Sequence, residues 1–364
     1  MKNPLASIRD LYARFERPIS SLSLVGGFLF DALTLKRVDQ FWENFWVLGH
    51  LFVVAVCIVL VNLEEEEGVD PTDATKAHFW LINILQFTFG GILSTFLVFY
   101  FRSATLLVSW PFLLLLAAAF AANERLKHHY ARVTFQMSLF FLSLFSFAIF
   151  IVPVIVHKIG PWVFVLSGVL SLVVMWLFLL LLERLTKDRF YRSRKTLWKF
   201  IGSIYVGMNI LYFTNIIPPI PLSLKDAGVY HFVEKNVLGD YLSGYEDQGF
   251  KGFFNIYEDF HLAPGRPVYA YSAVFSPASL NTTIVYNWQH YDETANRWED
   301  EGNVSIDLIG GREGGYRTYT TKSNLVSGKW RVNVETIQGQ VIGRILFNVI
   351  PVASDPPILT KINE

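Results

Sequence analysis

Three arginines, Arg317, Arg331 and Arg344, lie in stretches with strand character near the C-terminal end of the chain. A guanidinium fork matches a carboxylate or phosphate through two parallel hydrogen bonds. Three such forks on one face of an acidic segment would make a platform for an anionic ligand. The plainer use of the same residues is surface pairing with Glu335 and Asp307, worth at most about 1 kcal/mol a pair. Upstream, Glu258, Asp259 and His261, with Asp240 and Asp247 before them, reach the density of oxygen ligands that Ca²⁺ requires, but in a spacing that matches no known calcium loop. The stretch IGGREGGYR (309–317) could turn backbone N–H groups toward an anion. No helix follows to add its dipole, so it reads as a hairpin loop. Tyr286, Trp288 and His290 alternate on one strand face, where aromatic rings either stack on sugars or fill a core, and the core is the commoner use.

The sequence contains no His-Glu-x-x-His, Cys-x-x-Cys, Walker loop or Gly-x-Ser-x-Gly. No catalytic residue, metal or cofactor is therefore assigned. The single cysteine, Cys57, rules out an intrachain disulfide and a cysteine metal cluster.

The elements that must position these residues divide the chain in two. It is 52% hydrophobic and 17% charged, below the roughly 25% charge of soluble domains. Residues 1–221 are net basic and residues 222–364 net acidic. An acidic half argues against a nucleic-acid partner, because phosphate binding needs clustered Lys and Arg. A helix needs about 20 mostly apolar residues to cross a bilayer. Six runs meet this: 45–63, 77–101, 105–122, 134–156, 161–182 and 200–217. A seventh, 19–35, is shorter and carries Asp31. If all seven span and the N-terminus is cytoplasmic, then Lys2, Arg9, Arg14, Arg17, Arg125, Lys127, Arg132 and the basic run Arg184–Lys199 all fall inside, as the positive-inside rule asks. With six spans most of this charge moves outside. Seven spans put residue 364 outside the cytoplasm.

Polar side chains within the runs, among them Asn83, Gln86, Gln136 and Asn209, read as packing glue between helices. Ser167-x-x-x-Ser171 and Ser203-x-x-x-Gly207 would allow close helix approach. Pro218, Pro219 and Pro221 end the last span and predict a stiff, polyproline-like connector over 218–224.

Residues 225–350 then read as β structure, with period-two alternation in the strands from 268 onward and a less regular stretch over 225–262. Strands are predicted at 268–276, 283–291, 304–309, 315–322, 329–335 and 341–350, with edge strands around 230–233 and 241–245. A turn at Gln338-Gly339 would set Trp330 opposite Phe347, Val332 opposite Ile345 and Val334 opposite Gly343, placing the large apolar residues on one face. The expected fold is an α-helical membrane domain of about seven transmembrane helices (1–217) followed by an all-β, Ig-like antiparallel sandwich. Residues 351–364, with Pro356 and Pro357, read as a mobile tail.

The stretches PPIPLSLKDAGVYH (218–231), IGGREGGYRTYTTKSNL (309–325) and GKWRVNVETIQGQVIGRILFNV (328–349), and GGFLFDALTL (26–35) at the other end, resemble the bacterial membrane-protein family ending in domain of unknown function 2914. The resemblance implies a bacterial multi-pass protein of the inner membrane with a C-terminal β domain. It implies no reaction and transfers no functional residue. The expected function is that of a non-catalytic envelope protein, seated in the lipid bilayer, whose outer β domain binds a protein or glycan. Two alternatives stay open. One is a transporter or channel with an accessory β domain. The other is a membrane-embedded enzyme acting on a lipid-linked substrate through Asp31, Glu183 and Asp188.

Overall fold

The computed structural model describes residues 25–35, 40–66, 76–103, 106–125, 132–237, 239–249, 255–277, 280–310 and 314–363. It forms two compact units, one helical and one rich in β structure.

A helix lies in each of the seven apolar runs. They are α1 (Val25–Thr34), α2 (Phe41–Glu66), α3 (Lys76–Ser103), α4 (Leu106–Arg125), α5 (Val133–Val156), α6 (Pro161–Leu185) and α7 (Lys187–Phe213). Four stretches, Phe41–Glu64, Trp80–Phe101, Val133–Val156 and Pro161–Leu185, are long and apolar enough to cross a membrane. Val25–Thr34 and Ser109–Ala121 are apolar but shorter. In α7 the basic run and the last apolar run form one continuous helix. It ends at Phe213, short of the expected Ile217, and Asn215 beyond it takes the left-handed conformation (φ 59°) that asparagine tolerates.

Amides join the helices. Asn62 Nδ2 of α2 donates to Gln136 Oε1 of α5 at 2.8 Å, and Gln86 of α3 and Asn123 of α4 donate to each other's backbone carbonyls. Close approach occurs at the first of the two small-residue patterns. Within Ser167–Ser171, a Cβ on Gly168 would stand 2.9 Å from Tyr205 and 3.0 Å from Phe145. At the second pattern a Cβ on Gly207 would meet nothing within 4 Å, so Ser203-x-x-x-Gly207 is not a contact of this kind. Asn209 bonds within its own helix, to the carbonyl of Tyr205.

The prolines do not form an extended connector. Ile220 N–H donates to Pro218 O and Leu222 N–H to Pro219 O, with a cis bond at Ile220–Pro221. The chain turns here because these local bonds close it, and Leu222 enters the β core directly.

The β unit has eleven strands among its described residues: β1 (Ser223–Tyr230), β2 (Phe232–Lys235), β3 (Tyr241–Tyr245), β4 (Glu258–Leu262), β5 (Val268–Phe275), β6 (Thr282–Asp292), β7 (Arg297–Leu308), β8 (Tyr316–Lys322), β9 (Gly328–Thr336), β10 (Val341–Pro351) and β11 (Leu359–Asn363). They make sheets of order β1-β5-β8, β4-β10-β9-β6-β7 and β11-β3-β2. The first two share a core that includes Val229, Val268, Ala270 and Val274 from one and Trp288, Trp330, Val332 and Phe347 from the other. Polar bonds cross this core: Tyr286 Oη meets Ser272 Oγ and Thr318 Oγ1, and Trp288 Nε1 donates to Thr320 Oγ1.

The β9–β10 hairpin has the expected register, with Phe347 opposite Trp330, Ile345 opposite Val332 and Gly343 opposite Val334. Three features differ from the sequence reading. The sheets are antiparallel except for β4, which runs parallel to β10. β7 begins at Arg297, well before residue 304, because its polar first half is held by pairing with β6 and not by apolar alternation. The stretch expected as a mobile tail contains β11, paired with β3 from Leu359 to Asn363, and Asp355, bound to Arg266. A short strand with little apolar content forms there because β3 offers it a free edge.

Candidate binding site

The expected platform of three arginines holds two. β9 pairs with β6 and β10, so its neighbour in sequence, β8, lies in another sheet. Thr318 and Thr320 of β8 bond to the core residues Tyr286 and Trp288, which leaves Arg317 on the opposite face of that strand. There it is 4% exposed. Its Nη1 donates to Asn363 O at 2.5 Å and lies 3.4 Å from Asp240 Oδ1, and its guanidinium stands 5.7 Å from the centre of the Tyr241 ring. Arg317 thus fastens β8 to the β11-β3-β2 sheet.

Arg331 and Arg344 do share a face, the polar side of the five-stranded sheet. Alternation puts Arg331, Asn333 and Glu335 of β9 on it, opposite the Trp330–Val334 core set. Arg331 Nε donates to Gln289 Oε1 of β6 at 2.5 Å, and its guanidinium lies 4.2 Å from the centre of the Trp298 ring of β7. Gln289 also accepts from Asn333 Nδ2 and donates to Asp300. Arg344 Nε donates to Asn333 Oδ1 at 2.6 Å. One line of hydrogen bonds therefore runs from Asp300 through Gln289 and Asn333 to the two arginines. Among the described residues neither guanidinium is in an ion pair. Burial lowers the pKa of both, and for Arg331 the neighbouring charge of Arg344 adds to this. Glu335, the acid in their field, is held toward its neutral form chiefly by burial. Asp307, the other proposed surface partner, accepts from Thr283.

Of the carboxylates expected as calcium ligands, Asp240, Asp247 and Asp259 each have another partner. Asp259 accepts from Asn348 and, through its carbonyl, from Gln248. Asp247 accepts from the N–H of Gly249. His261 belongs to a clasp around Glu246, which is 9% exposed and which sequence reading missed. Glu246 Oε1 lies 2.8 Å from His231 Nε2 and accepts the His261 N–H at 2.7 Å, while Oε2 lies 2.5 Å from His261 Nδ1. Burial would raise the Glu246 pKa, but these bonds outweigh it and the net shift is downward. Glu258 goes the other way. Burial and then the charge of Glu246 push it up to about 7.

Tyr286 and Trp288 are core residues, and His290 sits at the strand end with its ring 4.9 Å from that of Trp330. The centre of the IGGREGGYR loop, 311–313, lies outside the described residues. In the helical unit Asp31 is buried and Glu183 lies 3.8 Å from Arg194, while the side chain of Asp188 lies outside the described set. Trp298, Gln289 and Asn333 were not legible as a site. Trp298 is a lone aromatic in a polar stretch, and only the pairing of β6 with both β7 and β9 brings these residues together.

No curated protein matches the chain. Among solved structures, Pseudomonas fluorescens alkylpurine DNA glycosylase AlkC bound to DNA containing an abasic site analog aligns over 85% of this chain and 99% of that one, at 9% identity and a TM-score of 0.24. That likeness is too low to bear on this fold. Residues 281–349 match the family model described as Protein of unknown function (DUF2914), so the strand segments that carry Gln289, Trp298, Arg331 and Arg344 all lie within the matched part.

Proposed function

We propose that this chain is a multi-pass protein of a bacterial inner membrane, with a cytoplasmic N-terminus, and that its β unit is an extracytoplasmic, Ig-like binding domain for a protein or glycan. The membrane reading is supported by the four long apolar helices and by large apolar side chains left exposed along them, such as Trp162, Val173, Trp176 and Leu177 of α6. Such a surface is costly in water and natural in lipid. The observation that carries the binding reading is the polar face. Two half-buried guanidiniums, one stacked on Trp298, are oriented by amides in place of ion pairs. Fixed Arg forks beside an aromatic ring suit recognition of anionic or hydroxyl-rich ligands.

The test is co-purification from detergent extracts of native membranes. Trp298→Ala combined with Arg331→Ala should abolish recovery of the partner while the variant still inserts and unfolds cooperatively. Recovery equal to that of the unaltered chain would remove the face from consideration.

A further inference from the structure

Helices α6 and α7 form an antiparallel hairpin about Thr186, whose N–H and hydroxyl both donate to Leu182 O. Two contacts fix its register. Tyr205 of α7 closes on Gly168 of α6, and the Tyr212 ring stacks on Phe164 at 3.7 Å. Helix α5 agrees, with its Phe145 ring 5.7 Å from Tyr205 and its Phe140 ring 5.0 Å from Phe178 of α6. In this register Lys199 stands level with about residues 174–178 of α6, roughly 6–12 Å inside Leu182 at 1.5 Å per residue. The α6 surface near that level is apolar and exposed, with Val173, Trp176 and Leu177 outward. The α7 surface is different. Arg194, Lys195, Trp198 and Lys199 recur at three- and four-residue spacings on one face, and all four are exposed. Glu183 of α6, 3.8 Å from Arg194, is the one carboxylate in an ion pair with this group among the described residues. The same face continues through Gly202, where a Cβ would meet nothing within 4 Å, to the exposed Val206 and Ile210. Cations, an open place and an apolar strip thus follow one another along α7.

We propose that this face of α7 holds an anionic phospholipid, with its phosphate on Lys195 and Lys199 and an acyl chain passing over Gly202 along Val206 and Ile210. The proposal goes beyond the binding role of the β unit and rests on the reading of the helical unit as membrane-embedded. A cation within a span is costly unless it is paired, faces the interior or reaches the interface. Lys199 is exposed, and its level lies inside the end of the apolar run of α6. A lipid phosphate drawn toward it supplies the opposite charge, which lysine meets as a point charge. Trp198 suits the same depth, because an indole ring settles where one side is apolar and the other wet. The apolar strip beyond Gly202 has no use for a free anion and matches a lipid chain. A second copy of this chain fits less well. A symmetric contact would set the cationic face against itself, and the nearby carboxylate, Glu183, is already beside Arg194.

The full chain, purified in detergent and stripped of lipid, is titrated with phosphatidylglycerol, phosphatidylcholine or inorganic phosphate and weighed intact by native mass spectrometry. Phosphatidylglycerol should bind about tenfold more tightly than phosphatidylcholine, the scale of one or two cations acting on a single net charge. Lys195→Gln with Lys199→Gln should erase that preference, and Lys195→Arg with Lys199→Arg should keep it. Gly202→Phe fills the open place with every charge retained and should also weaken phosphatidylglycerol. Circular dichroism should show the same helix content in each variant. Equal binding of the two lipids, a preference that survives loss of both lysines, or indifference to Gly202→Phe would each overturn the proposal. Displacement of the lipid by inorganic phosphate would overturn it too, by making the ligand a free anion. So would a mass of two chains that falls to one when the lysines are replaced, because a second copy would then cover the face. Extraction of native membranes with alkaline carbonate keeps the two readings apart. Release of the chain there would remove the membrane reading itself, whereas a chain that still needs detergent but shows no lipid preference would remove the lipid face alone.

Discussion

Arg331 of β9 lies with its guanidinium 4.2 Å from the centre of the Trp298 ring, two strands away on β7, and Gln289 of the intervening β6 holds its Nε. The stack spans three strands of one sheet. Its energy follows from partial burial: a cation over an aromatic face contributes about 0.5–1 kcal/mol where exposed and about 2 where desolvated. Arg331→Lys keeps the charge and loses the planar fork. A double-mutant cycle of Arg331→Lys with Trp298→Ala, read by denaturant unfolding, should give a coupling of about 1 kcal/mol. A coupling indistinguishable from zero would mean that the ring merely covers the stem of the arginine.

Residues 222–364 are expected to express alone as a soluble, folded β protein. Within them Trp330 is 1% exposed at the centre of the shared core. Trp330→Ala should destabilise the unit by about 3–5 kcal/mol, the cost of emptying a buried large aromatic site. Chemical denaturation of the two forms measures it, and a loss near that of a surface change would contradict the observed burial.

Stability should also depend on pH through Glu258. In the folded unit this group holds its proton up to about pH 7, against an ordinary value of 4.5. Between these values the folded state binds more protons than the unfolded one, so stability is highest at the acid end and falls as pH rises toward 7. The melting temperature should therefore decline from about pH 5 to about pH 8. Glu258→Gln should flatten that decline. Glu246 acts in the opposite sense, since its lowered pKa contributes stability above 4.5 that is lost as pH falls further. A decline that survives Glu258→Gln unchanged would assign it to another group.

Topology gives a fourth test. With a cytoplasmic N-terminus and the C-terminal unit exported, alkaline phosphatase fused after residue 364 should be active and a fluorescent protein fused there by the unfolded export route should be dark. The opposite pattern would put an even number of spans before the β unit.

Much of the fold could be read from local pattern. The period-two alternation of Trp330, Val332 and Val334 against Ile345, Phe347 and Val349 defines one apolar face, and the intervening turn length leaves one register that keeps it. The helices were legible for a similar reason, because long apolar runs need no partner in sequence to declare themselves. The first half of β7 and the whole of β11 were not. Each is polar along much of its length and exists because a neighbour offers an open edge, which is a fact about another part of the chain.

The arginines separate the two kinds of information most clearly. Sequence by itself placed Arg331 and Arg344 on one side of a hairpin, because strand geometry sends alternate side chains to opposite faces. It also grouped Arg317 with them, since β8 precedes β9 in the chain. Tertiary structure decided otherwise. Sheet order is set by which apolar faces can be buried together, and that put β8 beside β5, turned Arg317 onto Asn363 and Asp240, and brought Trp298 and Gln289 from distant strands to Arg331.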